Sequence, residues 1–269
     1  MHPSPQDLAD ANLIEAVREH ARWQSPCTLS EDGGVLLMAG ANDYPGAFRN
    51  CVLRVDPRVP AHEVLEWARA FFRTQGRGYT LLARASRDAD LIETLQAAGM
   101  TPLADSPCML VEAPVAEGEL PAGIHIESMS ELRHVQDVVR INAEAYEALR
   151  LPAAETRVFF GKQQALLSPR VSGFVAYRGE EPVSTAMTLF SGAGAGVYWV
   201  GTAAGAQRMG LAELCTRLAT NAGFVAGARA VTLQASPLGE PIYRRMGYTV
   251  YDRQLRFRFP APAEAGIGQ

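Results

Sequence analysis

The chain has almost no lysine and no paired cysteine motif, and both shortages narrow its chemistry. Of 25 basic residues one, Lys162, is a lysine and the rest are arginines. That bias reads as genome composition, since either residue solubilises most surfaces. With 29 acidic residues the net charge is -4, which argues against a nucleic acid or an anionic membrane as the main partner. The four cysteines, Cys27, Cys51, Cys108 and Cys215, form no C-x-x-C pair and have no histidine at metal-ligand spacing, so free thiols and no metal site are expected. No cationic N-terminal segment leads into an apolar run, as a secretory leader would require. No stretch of bulky apolar residues is long enough to span a bilayer, since the least polar one, Gly192 to Ala206, is mostly Gly and Ala around a short strand. A cytoplasmic protein is the expectation. A P-loop is missing too, because nothing supplies the Lys-Ser/Thr pair that follows its glycines.

What is present describes an ordinary soluble protein. The 269 residues are 48% apolar and 20% charged, which excludes wholesale disorder and allows either two ordinary domains or one large one. Apolar spacing predicts a helix over Asp7 to Trp23, strands at Val35 to Ala39 and Asn50 to Val55, and a helix opened by Pro60 and stopped by Gly76. A buried strand at Tyr79 to Ala83, a helix from Asp88 ended by Gly99 and a strand at Ser106 to Glu112 complete this half. The run from Ala113 to Gly123 is rich in Pro, Gly and Glu and lacks periodicity. The expected partition is therefore a first domain over 1–115, a linker over 116–123, a second domain over 124–259 and a flexible tail over 260–269. The second domain reads as a strand at Ile124 to Ser128, a helix from Ser130 to Leu149 and a helical stretch over Pro152 to Leu167. Strands at Val171 to Tyr177, Pro182 to Phe190 and Gly196 to Thr202 follow. After Gly210 come a helix, a strand at Ala230 to Ala235, a helix at Pro237 to Met246 and a strand near Gln254 to Phe259.

The halves share a layout. Leu82 to Ser86 and Ala98-Gly99 mirror Leu233 to Ser236 and Met246-Gly247, which reads as a degenerate internal repeat. One part is not shared. In the second half an apolar strand ending at Val200, Gly201 and Thr202 leads through Gln207, Arg208, Met209 and Gly210 into an amphipathic helix starting with Leu211 and Ala212. A helix N-terminus offers unpaired N-H groups and partial positive charge, and Gly210 and Ala212 keep the approach clear, so this is a candidate anion cradle. A glycine turn before a core helix is the plainer reading of the same residues. At the matching place the first half has Pro57, Arg58, Val59 and Pro60, where prolines remove N-H donors and larger side chains crowd a phosphate. The run Gly192, Gly194, Gly196 has the wrong spacing for a dinucleotide fingerprint and reads as a hairpin loop.

Gln207-x-x-Gly210-x-Ala212 after a strand ending Val200, Gly201, Thr202, followed by Ser236 and then Tyr243-x-x-x-Gly247-Tyr248, resembles the GNAT superfamily of N-acetyltransferases. The match spans Ile124 to Phe259, with Gln for the more usual Arg at 207, Arg208 and Met209 for the frequent Gly-Arg, and Ala for Gly at 212. The first half resembles a GNAT-like repeat that has lost the motif, as in tandem members. The resemblance implies an α/β (α+β) fold of two GNAT-like domains, each a mixed, mostly antiparallel twisted sheet flanked by helices. It implies acetyl-CoA as co-substrate, held by residues 200–202, by 207–212 and by Ser236. A main-chain N-H near Val200 would polarise the thioester, and Tyr243 would be the acid that protonates the leaving thiolate. The acceptor would be a small-molecule or peptide amine, with neither nucleic acid nor membrane as partner and with a homodimer compatible. A longer acyl group, or an acyl-CoA sensor without turnover, stays open. Glu144, Tyr146 and Glu147 on the first long helix of this half are the candidates for the acceptor side, Glu144 foremost as base. Ser236 also reads as a helix cap, Tyr243 as a core tyrosine, His125 and His134 as structural or exposed, and Cys215 as a buried thiol.

Overall fold

The computed structural model describes residues 3–44 and 46–261. Helix α1 (Pro5–Trp23) is opened by a capping box in which Ser4 accepts the Asp7 N-H at 3.1 Å and Asp7 accepts the Ser4 N-H at 3.0 Å. A hairpin follows, β1 (Thr28–Asp32) and β2 (Val35–Ala39), turning on Gly33 and Gly34 with φ of 56 and 82. Next come β3 (Asn50–Arg54), α2 (Ala61–Gln75), β4 (Tyr79–Arg84), α3 (Ala89–Ala97) and β5 (Ala104–Val111). The second half contains β6 (Ile124–Ser128), α4 (Leu132–Glu147), α5 (Ala153–Phe159), β7 (Val171–Arg178), β8 (Glu181–Ser191) and β9 (Gly194–Thr202). It ends with α6 (Leu211–Val225), β10 (Ala230–Gln234), α7 (Glu240–Arg245) and β11 (Thr249–Phe259).

All strands join one mixed sheet in the order β1-β2-β3-β4-β11-β5-β10-β9-β8-β7-β6. Pairing is antiparallel except at β3–β4 and β9–β10, which occupy equivalent places in the two halves. The halves exchange their closing strands. Strand β11, last of the second half, lies between β4 and β5, and β5, last of the first half, lies between β11 and β10. The expected mixed, mostly antiparallel sheets flanked by helices are thus fused edge to edge.

Alternation assigns the faces. In the first half Val35, Leu37, Val52 and Leu81 meet α2 and α3, whereas Leu36, Met38, Cys51, Leu53 and Leu82 meet α1. In the second half Ala195, Val197, Val231 and Leu233 meet α6, whereas Met187, Leu189 and Tyr198 join a cluster with α4, α5 and Trp23 of α1. Helix α1 therefore packs on both halves. It can approach β9 because Gly194 and Gly196 have no side chain: a Cβ at 196 would lie 2.0 Å from Asn12 Oδ1, and one at 194 would lie 2.9 Å from the Leu8 carbonyl. Buried Asn12 uses the gap fully, donating to Leu189 O and Ser191 Oγ at 2.9 Å and accepting from the Tyr198 hydroxyl at 2.9 Å. So these glycines belong to a strand packed by a helix, and only Gly192, at φ 63, shapes the hairpin turn.

Several expected boundaries shift for physical reasons. The segment Thr28–Asp32 has no apolar alternation, and its edge strand is largely exposed. The helical stretch over 152–167 breaks after α5 into a 3-10 turn at Gln163–Leu167, where the Lys162 N-H is drawn to the Trp23 carbonyl at 2.7 Å. The helix expected over 237–246 begins only at Glu240, because Ser236 holds the preceding turn. Strand β11 starts at Thr249, earlier than its apolar pattern indicates, with a bulge between Val250 and Asp252 that changes the alternation. Of the tail expected over 260–269, residues 262 onward lie outside the described residues. The fit of α1 on β9 is testable: Gly196→Ala should cost about 1–3 kcal/mol in urea unfolding through overpacking against Asn12, and an unchanged midpoint would refute the close approach.

Candidate functional site

Strands β9 and β10 pair only from Gly194↔Ala230 to Gly196↔Thr232, although β9 continues to Thr202 and β10 to Gln234. Beyond that point they part. On its other side β9 carries a bulge: Thr185 faces Gly201 and Met187 faces Tyr198, so Trp199 and Val200 together oppose Ala186. Trp199 has φ 54, a left-handed conformation that a non-glycine residue adopts only when held there. A bulge drops backbone groups out of the ladder, and this one does so where the parallel strands separate.

Trp199 is held by a residue that no local pattern marks. His20 of α1 is buried, with Nδ1 2.5 Å from the Ala16 carbonyl, and its Nε2 accepts the Trp199 indole N-H at 2.8 Å. Two such contacts require the neutral ring with its proton on Nδ1. Burial agrees, pushing His20 down to about 3. Its ring stacks on Phe48 at 4.4 Å, and Tyr146, Phe159 and Phe160 surround the indole with centroids 5.2, 4.7 and 4.6 Å away.

Past Thr202 a 3-10 turn at Ala204–Ala206 leads into the cradle. Arg208 and Gly210 both have positive φ, 63 and 76, and Gly210 is the N-cap of α6. Main-chain N-H groups in this alternation curl into an anion-binding concavity. Among the described residues, the N-H groups from Arg208 to Glu213 donate to no protein acceptor. A Cβ at Gly210 would meet nothing within 4 Å, so the glycine answers to backbone conformation and to open space. Arg208 makes no ion pair, and Met209 is exposed. Leu211 contributes its N-H only, since its side chain is in the core beside Cys215, whose thiol burial raises to about 12. These residues fit a diphosphate.

The other predicted residues divide. Gly201 serves packing, because a Cβ there would stand 2.8 Å from Asn142 Oδ1 of α4. The Thr202 hydroxyl is tied to Ser184 Oγ at 2.8 Å, and Gln207 continues the turn, its N-H 3.5 Å from the Ala204 carbonyl. Ser236 Oγ accepts the Gly239 N-H at 3.1 Å, the capping geometry. Tyr243 is half-buried, its ring lies against Gly239 and 6.1 Å from Tyr248, and burial pushes its phenol up to about 12. Burial, and after it the Tyr243 phenol, raises Tyr146 above the ordinary tyrosine range, and the Tyr146 ring lies 5.2 Å from the Trp199 indole at the bulge. Glu144 is exposed and accepts the Ala204 N-H at 2.7 Å, bracing the turn that enters the cradle, while Glu147 is exposed on the same helix. His134 is buried, accepting the Ser130 and Glu131 N-H groups at Nδ1 and contacting Glu127 at 2.8 Å; His125 stacks on Tyr177. Among the described residues no three His, Cys, Asp or Glu side chains gather as metal ligands would.

The equivalent cleft of the first half is filled by its own side chains. Strands β3 and β4 pair through Leu53↔Leu82, and beyond that Arg54 donates to Asp88 at 2.9 Å, with neither side chain exposed, and to Asp90 at 2.6 Å. Arg54 also bonds the Val59 carbonyl at 3.0 Å, and Arg84 donates to Asp88 at 3.1 Å and to the Arg54 carbonyl at 2.6 Å. The polar groups of this splay are thus taken internally. Breaking so buried a pair from one side would strand a charge, at about 3–5 kcal/mol.

No protein-family model matches the chain, and no curated protein does. Solved structures do. A GCN5-related N-acetyltransferase from Kribbella flavida superposes with a TM-score of 0.71 at 22% identity, over 96% of this chain and 97% of its own. A GCN5-related N-acetyltransferase from Sphaerobacter thermophilus gives 0.63 at 16% identity over 96% and 94%. A tandem GNAT protein from the clavulanic acid biosynthesis pathway gives 0.65 at 13% identity over 94% and 95%. The chain has the fold of the GCN5-related N-acetyltransferases across both of its halves.

Proposed function

We propose that the chain is an acetyl-CoA-dependent N-acetyltransferase that moves an acetyl group to a primary amine. Residues 124–259 would carry the reaction, and 1–115 would serve without a cofactor of their own. The observation that carries this reading is one alignment of features: strands parting beyond Gly196, a bulge at Trp199 and Val200, and unsatisfied N-H groups from Arg208 to Glu213 along the same opening. The N-H groups and Gly210 would hold the diphosphate, Arg208 would add a charge-assisted bond, and backbone of Val200 and Thr202 would pair with pantetheine as an added strand does. The bulge would aim a main-chain donor at the oxygen on which negative charge develops.

The amine nitrogen would attack the acetyl carbon as the C-S bond breaks, with Tyr243 giving its proton to the departing sulfur and the amine's proton passing to a carboxylate. Glu144, at the mouth with one oxygen on the Ala204 N-H, is the carboxylate we assign to that proton. Ser236, through its hydroxyl, would donate to pantetheine while capping the following turn.

Gly210→Glu should abolish acetyl-CoA binding in calorimetry while the chain stays folded, with a modest loss of melting temperature from the left-handed φ, and Gly210→Ala, which carries the same strain without a charge, should keep part of the affinity. The parent protein should bind one equivalent per chain because the Arg54–Asp88 pair occupies the other cleft; unchanged affinity in Gly210→Glu, or two equivalents, would count against the cradle. Tyr243→Phe should lower kcat far more than it weakens acetyl-CoA binding. Raising the phenol towards 12 keeps its proton in place at every lower pH, so kcat should rise to a plateau as the amine side deprotonates and should not fall before about pH 10; a descending limb near neutrality would exclude Tyr243 as the acid. Glu144→Gln preserves an acceptor for Ala204, so kcat should drop with acetyl-CoA affinity intact. A fully active Glu144→Gln beside a weakly binding Glu144→Ala would leave Glu144 as a brace only.

A further inference from the structure

Strands β10 and β11 both run antiparallel to β5 and so run parallel to each other. Gln234 and Asp252 share Cys108 as partner, whereas Gln254 faces Ser106 and Arg256 faces Ala104. Gln254 and Arg256 therefore lie past the carboxyl end of β10, the end at which β9 and β10 part. Paired residues point to one side, so Gln234, Ser106, Gln254 and Arg256 share the sheet face that carries Tyr198 and α1.

The polar groups on this strip have too few partners. Gln254 is 4% exposed and, among the described residues, its Nε2 has no hydrogen-bond partner; the partly buried side chains of Gln234 and Arg256 likewise keep Nε2 and Nε out of solvent without a partner. The remaining contact of the guanidinium, Nη2 to Ser106 Oγ at 3.5 Å, is at the limit of hydrogen-bond length. Among the described residues no carboxylate forms a salt bridge with Arg256. Elsewhere this chain pairs its buried arginines: Arg54 has Asp88 and Asp90, Arg84 has Asp88, Arg49 has Glu155. A mostly buried cation without a counter-charge, flanked by idle amide donors, costs stability that folding alone does not return. Consistent with that, burial acts to pull Arg256 below the ordinary arginine range, and no neighbouring charge opposes it.

We propose that Arg256, with Gln254, Gln234 and Ser106, forms a carboxylate-binding subsite on the acceptor side of the opening, so that the amine acetylated here belongs to a molecule that also carries a carboxylate. The identity of that molecule as acceptor rests on the acetyl-transfer reading; the anion site does not. A single guanidinium with planar amide donors suits a monoanionic carboxylate, to which it presents a matching fork, better than a phosphate carrying more charge. The site exists only through strand exchange, since Gln234 comes from β10, Ser106 from the first half's closing strand, and Gln254 and Arg256 from β11 between them.

The subsite makes Arg256 a stability liability in the free protein, which separates it from an ordinary structural arginine. Arg256→Met should raise the melting temperature without ligand by roughly 2–4 °C, and Gln254→Met, the second variant, should raise it as well. Glycine, β-alanine, 4-aminobutyrate and the L-amino acids, each beside its carboxamide and in the presence of coenzyme A, provide the probes. At least one carboxylate should stabilise the parent protein more than its carboxamide does, the effect should vanish in Arg256→Met, and Arg256→Lys should keep part of it. With acetyl-CoA, thiol release should favour that carboxylate, and Arg256→Met should raise KM at least tenfold with little change in kcat. Lower melting temperatures for both methionine variants, stabilisation by none of the carboxylates, or equal stabilisation by acid and amide would overturn the subsite. If acetyl-CoA fails to bind the parent protein while the carboxylate effects hold, the acetyl-transfer reading fails and the anion site stands.

Discussion

Everything in this structure depends on where two strands end up. Because β11 is inserted between β4 and β5, and β5 between β11 and β10, neither half possesses a complete sheet without the other. Removing either half would leave long unpaired edges on β4 or β10, which soluble proteins do not tolerate well. Among the described residues the free edges left are β1 and β6 at the far ends. The exchange also sets the site. Helix α7, which bears Tyr243, runs straight into β11, so the phenol's approach to the opening is anchored by pairing with strands of the first half. The first half is thereby built into the sheet that carries the second half's opening.

Helix α1 adds a second dependence of the same kind. It lies on β9 because Gly194 and Gly196 give way to Leu8 and Asn12, and about two turns further along, its His20 reaches Trp199. The left-handed Trp199 is costly by itself, on the order of 1–3 kcal/mol. The hydrogen bond from its indole to a neutral histidine, with aromatic rings on the remaining sides, is what over-determines it. The first helix of the chain thus shapes the bulge in a strand almost 180 residues later, roughly where charge would develop in an acyl transfer.

Much of this was legible in residues and some was not. Helices α1, α2, α3 and α6 have apolar faces and stop signals of their own, and the cradle is legible because Gly210 and its neighbours are consecutive. The shared layout of the halves was legible too, since Leu82 to Ser86 and Leu233 to Ser236 close strands β4 and β10, each the second strand of a parallel pair. Strand exchange was not, because pairing partners depend on tertiary geometry and β5 would look the same beside either neighbour. The bulge escaped for a similar reason: Tyr198, Trp199 and Val200 read as a regular apolar strand, and only the register against β8 reveals the extra residue. Glycines 192, 194 and 196 looked like a loop because close helix packing and turns call for the same residue. His20 carries no motif; its partner is distant in sequence and its spacing is that of any helical core position.

The two splayed clefts show how one backbone arrangement serves opposite ends. Beyond β3 and β4 every strong donor has found an acceptor: Arg54 takes Asp88 and Asp90, and Arg84 takes Asp88 and a main-chain carbonyl. That cleft is closed by its own ionic contacts, and a ligand entering it would have to break them. Beyond β9 and β10 the reverse holds. Among the described residues the N-H groups of the candidate cradle have no acceptor, Gly210 borders open space, and Arg256 has no carboxylate. Native proteins satisfy nearly all buried polar groups, and although Tyr79 and Thr156 also have unpaired hydroxyls among the described residues, only at Gln234, Gln254 and Arg256 do unpaired nitrogen donors share one sheet face. The first half's splay is stabilised from within; the second's leaves groups that, under the proposed reaction, a bound donor and acceptor would complete.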